Sequence, residues 1–250
     1  MKNDLVVTTW SHSSYSDIWE MYYGQYKKHA SFLNHYMMIN EVNDDFPENC
    51  IPLENNEDEK FYKRLTGCLS RLDNKNIIYS HEDFILYGNV SEVYLDALTD
   101  FLNQSDYSFI RLIKSGFASN WPSGNLVEDD LNLYEIPMVS PYVFSLQAAI
   151  WKRQDLIRLF EFYRPKDLMA SEVQGSNACR AINMKGCYIY DDEEKRGNLH
   201  YDSSGFPYVS TALHGGSHGR PARWQMSLYP DELGRLTKEY NIDVNERGVL

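Results

Sequence analysis

The sequence predicts an α/β fold, with a central, mostly parallel sheet flanked by helices and an irregular region in the second half. Three observations lead there. Short apolar runs rich in β-branched residues alternate with segments of helical spacing from residue 5 to residue 113, the pattern of parallel strands joined by crossover helices. A length of 250 residues suits one such domain. Hydrophobic residues make up 43% and charged residues 24%, so wholesale disorder is excluded.

Leu5-Val6-Val7-Thr8-Thr9-Trp10 is a buried strand by its run of β-branched residues. After Ser11-His12-Ser13-Ser14, Ser16 or Asp17 caps a helix through His29 with Ile18, Met21, Tyr22 and Tyr26 on its apolar face. Phe32 to Ile39 is a second strand. Asn43 to Glu59, acidic and holding Pro47 and Pro52, is a surface loop. Phe61, Leu65, Cys68 and Leu72 give Lys60 to Leu72 helical spacing. Asn76 to Ser80 is a strand that runs into His81-Glu82-Asp83-Phe84. Asn89 or Ser91 caps a helix through Leu102, and Ser108 to Ile113 is a strand. Gly116 to Asp130 reads as a long loop around Trp121-Pro122-Ser123-Gly124. A strand at Val143 to Leu146 precedes helices at Gln154 to Tyr163 and Leu168 to Ala181. Cys187 to Tyr190 is strand-like, and Asp191 to Arg196 is a solvated turn. The Gly-rich segment His214 to Arg220 precedes a helix from Asp231 to Tyr240.

Asp and Glu number 36 against 24 Lys and Arg, a net charge of -12. That argues against coating nucleic acid through a basic face. Aromatic residues reach 14%, which suits stacking on sugars or bases and suits core packing equally. The start, Met1-Lys2-Asn3-Asp4 before a short apolar run, gives no expectation of a secretory leader, and no apolar run reaches membrane-spanning length. The expectation is a cytoplasmic protein, in a bacterium or in a cell entered by a virus. Cys50, Cys68, Cys179 and Cys187 form no CxxC pair and are expected to be reduced.

Four segments carry residues fit for chemistry. Glu82-Asp83 ends an apolar strand, where ligands of open α/β sheets bind. Two adjacent carboxylates there suit Mg or Mn, and equally describe an exposed acidic turn. Glu172, in Ser171-Glu172, stands in the first turn of a helix, as a cap or as a general base facing a pocket. His214 and His218, among three glycines, are either metal ligands, phosphate-closing groups with Arg220 and Arg223, or incidental loop residues. Gln147 and Trp151, at a strand–helix junction, offer an acceptor platform with a ring stacked on Trp151, or simple core packing.

In this order the segments resemble the glycosyltransferases of the GT-A (Rossmann-like) fold, in particular the large inverting family of bacterial and viral sugar transferases. Leu5 to Ser11 resembles the first strand and base pocket, Ile77 to Phe84 the strand bearing the metal motif, Ser145 to Arg153 the acceptor side, and Ser171-Glu172 the later catalytic acid. The resemblance spans residues 5 to about 224. It implies one domain, 1–250: a nucleotide-sugar-binding half at 1–115, an acceptor-side half at 116–229, and a C-terminal helix and tail at 230–250. It implies a nucleoside diphosphate sugar as donor and a glycan or other hydroxyl as acceptor. Thr8, Thr9 and Ser11 would hold base and ribose, Glu82 and Asp83 the Mn or Mg, and Glu172 would be the base. The family motif is Asp-X-Asp, whereas here Glu82 and Asp83 are adjacent and Phe84 follows. Either Asp83 binds metal with help from His214 or His218, or arginines replace the metal. Arg64, Arg71, Arg111, Arg220 and Arg223 are available for a diphosphate.

A sugar nucleotidyltransferase ranks lower, because residues 8–16 contain no glycine and no basic residue beyond His12. A non-catalytic nucleotide-sugar-binding module with the same fold is a further alternative, given the altered acidic motif. A sugar transferase acting on nucleic acid is disfavoured by the charge.

Overall fold

The computed structural model describes residues 4–114, 124–168, 171–191, 205–215 and 222–250. In chain order the elements begin with β1 (Val6–Trp10), a 3-10 turn (Ser13–Tyr15), α1 (Ser16–His29), β2 (Asn34–Ile39), β3 (Ile51–Glu54), α2 (Phe61–Leu69), β4 (Asn76–His81) and β5 (Ile85–Leu86). Next come α3 (Glu92–Gln104), β6 (Phe109–Arg111), β7 (Leu126–Glu128), β8 (Leu133–Glu135), β9 (Ala149–Lys152), α4 (Arg153–Tyr163), α5 (Ser171–Ala181) and β10 (Gly186–Ile189). The chain closes with β11 (Tyr208–Val209), β12 (Leu213–His214), β13 (Arg223–Trp224), α6 (Pro230–Glu239) and α7 (Val244–Arg247).

Nine strands form one sheet in the order β3-β2-β1-β4-β9-β6-β10-β8-β7. All but β8 and β9 point the same way. Every residue of β1 and β4 is buried, as expected for strands covered on both faces. Val7, Ile78, Ile110, Ile150 and Cys187 face a core shared with α1 and α3. Their neighbours Val6, Ile77, Tyr79, Phe109 and Trp151 face a second core under α2, α4 and α5. Ser91 caps α3 by accepting a hydrogen bond from the Tyr94 N–H at 3.3 Å. The four cysteines are buried free thiols. Among the described residues, no helix is long and apolar enough to cross a membrane.

Three expectations need correction. Residues 143–146 are not a strand. Val143 and Phe144 are buried, but the Val143 carbonyl accepts from the Arg111 guanidinium at 3.2 Å rather than joining a ladder. The strand is β9, a few residues later, lodged antiparallel between β4 and β6. The segment 43–59, expected as loop, contains β3, an edge strand beside β2 that tolerates Pro52. Of the expected loop 116–130, residues 126–128 form β7, antiparallel to β8, while 115–123 lie outside the described residues.

Candidate active site

The parallel strands deliver their carboxyl ends to one edge of the sheet, and the acidic pair stands there. A tight turn follows β4, with the Phe84 N–H donating to the His81 carbonyl at 3.1 Å. This turn sets Glu82, 8% exposed, beside Asp83. Burial pushes the Glu82 carboxyl well up, and the charge of Asp83 adds to that. Burial also raises Asp83 to about 7, against hydrogen bonds from its own and the Leu213 backbone. The Ala212 N–H donates to the Asp83 carbonyl at 3.0 Å, so the β12 strand is anchored on the pair, and exposed His214 follows two residues later. His81, before the pair, is buried, and its pKa is lowered to about 3 by that burial.

Glu172 reaches the same edge from the other direction. β4 and β9 are neighbours, with Tyr79 opposite Ala149. Residues after β4 and residues before β9 therefore leave the sheet side by side. Oε1 of Glu172, in the first turn of α5, accepts from the Leu146 N–H at 2.9 Å, just before β9. The Ser176 hydroxyl holds the same segment, accepting from the Phe144 N–H at 3.1 Å and donating to the Phe144 carbonyl at 3.0 Å. Such close packing needs Gly175, where a Cβ would lie 2.5 Å from Phe144 Cδ1. The acidic pair and Glu172 thus occupy one edge of one sheet.

Other expected site residues divide. Ser11 follows β1 at this edge, but its hydroxyl accepts from the Trp19 indole at 2.8 Å. Thr8 and Thr9 are core residues. The Thr8 hydroxyl donates to the Ile78 carbonyl at 3.2 Å, and Thr9 lies 2.7 Å from both Tyr22 Oη and His35 Nε2. Their hydroxyls are turned into the sheet, which corrects their assignment to base and ribose. Trp151 is also a core residue, 1% exposed and stacked on Phe109 at 4.2 Å. No face is left for an acceptor ring. Gln147 stays near the edge, its Oε1 accepting from the Tyr208 hydroxyl at 3.0 Å.

Of the arginines, Arg64 lies over the Trp10 ring at 5.1 Å, at the carboxyl end of β1. Arg111 is buried, and its guanidinium donates to the Tyr142 carbonyl at 2.8 Å. It ties down the segment before β9, so a free phosphate role is corrected to a structural one. Burial lowers its pKa to about 10, with Glu172 acting in the opposite direction. Arg71 donates to the Glu54 carbonyl at 2.7 Å. Arg223, in β13, is paired in register with His214. Arg220 and His218 lie outside the described residues.

Sequence reasoning missed several groups. Asn40, just past β2, accepts from the Ser13 N–H at 2.8 Å and holds the loop after β1. His12 bonds Glu57 at 2.7 Å across the same mouth. Arg247, in α7, stands 4.8 Å over the Tyr15 ring, pairs with Asp17 and interacts electrostatically with Glu82. Tyr79 Oη, His81 Nε2 and Ser145 Oγ are buried with no hydrogen-bond partner among the described residues. The alternation along β4 contained a hint of Tyr79 and His81; the approach of Arg247 left none.

Among the described residues, no cluster of three His, Cys, Asp or Glu side chains surrounds a cation position. The donor chemistry still fits a hard cation: two adjacent carboxylates whose burial favours neutralisation suit Mg or Mn.

No family model matches the chain, and no curated protein matches it. Solved structures similar to it in fold include a mannosyltransferase from Pyrobaculum calidifontis in complex with GDP-Man and Mn2+, with 14% identity, a TM-score of 0.48, and 78% of this chain and 58% of that one covered. A cytidylyltransferase from Leptospira borgpetersenii is similar over 97% of this chain and 98% of its own, with 10% identity and a TM-score of 0.47. The glycosyltransferase GlyE of Streptococcus pneumoniae is similar over 76% of this chain, with 14% identity and a TM-score of 0.44; the chain spans 45% of it.

Proposed function

We propose that the protein is a glycosyltransferase that moves a sugar from a nucleoside diphosphate sugar to an acceptor hydroxyl, with inversion. One observation carries the reading. A buried carboxylate pair after β4 and a separate carboxylate, Glu172, held at the mouth of neighbouring β9, share one sheet edge. Glycosyl transfer needs positive charge where the diphosphate departs and a proton acceptor where the hydroxyl attacks. Glu82 and Asp83 would hold Mn or Mg, which would supply charge to the leaving phosphates. Ser11 and the Asn40-tied loop after β1 flank the nucleotide side, with Arg64 at its rim; Gln147 faces the acceptor side.

In the step itself, the acceptor oxygen attacks the anomeric carbon and forms the new C–O bond. The bond to the diphosphate breaks, and its electron pair leaves with the phosphate. The hydroxyl proton passes to Glu172. Oε1 of Glu172 is held by the Leu146 N–H, and Oε2 has no hydrogen-bond partner among the described residues, so one oxygen orients the group and the other is open to a proton. Inversion requires that Glu172 take the proton on the face of the sugar opposite the departing diphosphate.

The test is incubation with a panel of nucleotide sugars, with and without Mn, followed by NMR for slow release of free sugar and nucleoside diphosphate. Glu172→Gln keeps an oxygen for the Leu146 N–H, so it should lower turnover about 100-fold or more without weakening donor binding. Undiminished turnover removes Glu172 from the chemistry. Binding without any release identifies a binding module.

Arg247 supports a second reading. Residues 8–16 lack a basic group of the kind a nucleotidyltransferase places near its first strand, and the fold brings one there from α7. Pyrophosphate released from a nucleoside triphosphate and a sugar phosphate would favour that reaction over glycosyl transfer.

A further inference from the structure

The C-terminal helix α7 ends against the loop that follows β1. Nη2 of Arg247 donates to the Ser14 carbonyl at 3.0 Å. Nε donates to Asp17 Oδ2 at 2.6 Å, and a second Nη2 bond reaches Asp17 Oδ1. The guanidinium plane covers the Tyr15 ring. Asp17 and Arg247 are 230 positions apart, and the chain end is fastened beyond them, where the Leu250 N–H donates to the Trp224 carbonyl at 2.9 Å. Arg247 and Glu82 each act on the other's charge, and Tyr15 is acted on by Glu82, Asp83 and Arg247 together. One side of the fork is therefore committed to Asp17 and Ser14. The Nη1 group has no hydrogen-bond partner among the described residues, and the guanidinium lies within electrostatic reach of Glu82.

We propose that Arg247 binds the phosphates of the nucleotide through Nη1, so that α7 supplies a fixed cation to the phosphate site on the β1 side. The inference rests on the donor reading above and goes beyond it by naming the group that takes the phosphate. Three observations favour this over a simple staple. A staple to Asp17 uses Nε and Nη2 alone. The planar fork can hold Asp17 with one edge and a phosphate oxygen with another. A cation at this place also meets the doubly acidic strand end, which otherwise repels a diphosphate.

Calorimetry with the full chain tests it, using UDP, GDP, CDP and dTDP with and without Mn, and the matching nucleosides. Arg247→Ala should weaken the tightest-binding diphosphate about tenfold or more and leave its nucleoside unchanged. Asp17→Asn breaks the same staple but keeps the guanidinium, and should hold diphosphate affinity within about twofold. Equal losses in both variants, or no loss in Arg247→Ala, reduce Arg247 to a structural staple and overturn the inference. If Arg247→Ala does not fold, Arg247→Lys serves: a selective loss of diphosphate over nucleoside affinity of about threefold or more supports the inference, and an unchanged ratio overturns it. A wild-type protein that binds no nucleotide at all removes the donor reading itself. Binding by wild type that Arg247→Ala leaves intact removes only the role of Arg247.

Discussion

Replacing Asp83 by Asn should stabilise the ligand-free protein at about pH 8 and destroy its response to Mn. In the folded chain the Asp83 carboxyl is raised from 3.8 to about 7 by burial. The folded state therefore holds the proton more tightly than the unfolded chain does. Stability falls as pH rises from about 4 and reaches its lowest contribution above about 7. A displacement of that size, at about 1.4 kcal/mol per tenfold in proton affinity, bounds the cost of the charged form at about 4 kcal/mol. Solvent reaches part of Asp83, so about 2 kcal/mol is the expected gain on neutralisation. For a domain of this length that raises Tm by about 4–8 °C. The asparagine oxygen can still accept from the Leu213 N–H. The assay is thermal unfolding of parent and variant from about pH 5 to pH 8.5, with and without Mn. The gain should be large at pH 8 and shrink towards pH 5, and Mn should raise the Tm of the parent alone. A variant less stable than the parent at pH 8, or a difference independent of pH, refutes the reasoning that Asp83 is a buried acid held at a cost for binding a cation.

Further outcomes follow from packing and geometry. Trp151→Ala should cost about 3–5 kcal/mol in chemical denaturation, because the ring is fully enclosed against Phe109 and Phe144. A change in acceptor preference at unchanged stability would restore Trp151 to the site. Gly175→Ala should cost about 1–3 kcal/mol, since its Cβ would press on Phe144. It should also lower turnover by moving the segment that carries Leu146 and orients Glu172, which turnover measured beside urea unfolding would reveal. Gln147→Ala should raise the acceptor KM and leave donor binding unchanged in the same assay; weakened donor binding would move Gln147 off the acceptor side.

The alternation of short β-branched runs and helical spacing made β1, α1, β2, α2, β4, α3 and β6 legible, and later α4, α5, β10 and α6, but not β3, β5, β7, β8, β9 or the short strands β11 to β13. These signals are local: a strand buried on both faces must be apolar throughout, and a helix on a sheet must repeat its apolar residues every three or four positions. The acidic pair after β4 was legible for a related reason, since a polar pair closing a buried strand must emerge at its end. Glu172 was legible as a first-turn acid, though only as one of two roles.

What stayed hidden was decided between distant parts of the chain. Residues 143–146 have the composition of a strand, yet Arg111 captures their carbonyls and the ladder begins at Ala149. Trp151 looks like a stacking platform until Phe109 covers it. Thr8 and Thr9 look like ligand-facing hydroxyls until Ile78, Tyr22 and His35 take their bonds. Composition and periodicity fix which residues must leave water and which strand ends carry acids. Which cation meets those acids, and which polar groups are consumed by the core, depends on contacts between chain ends that no local pattern encodes. Arg247 against Asp17 and Tyr15 is such a contact, and only the closed fold brings its charge to the mouth of the sheet.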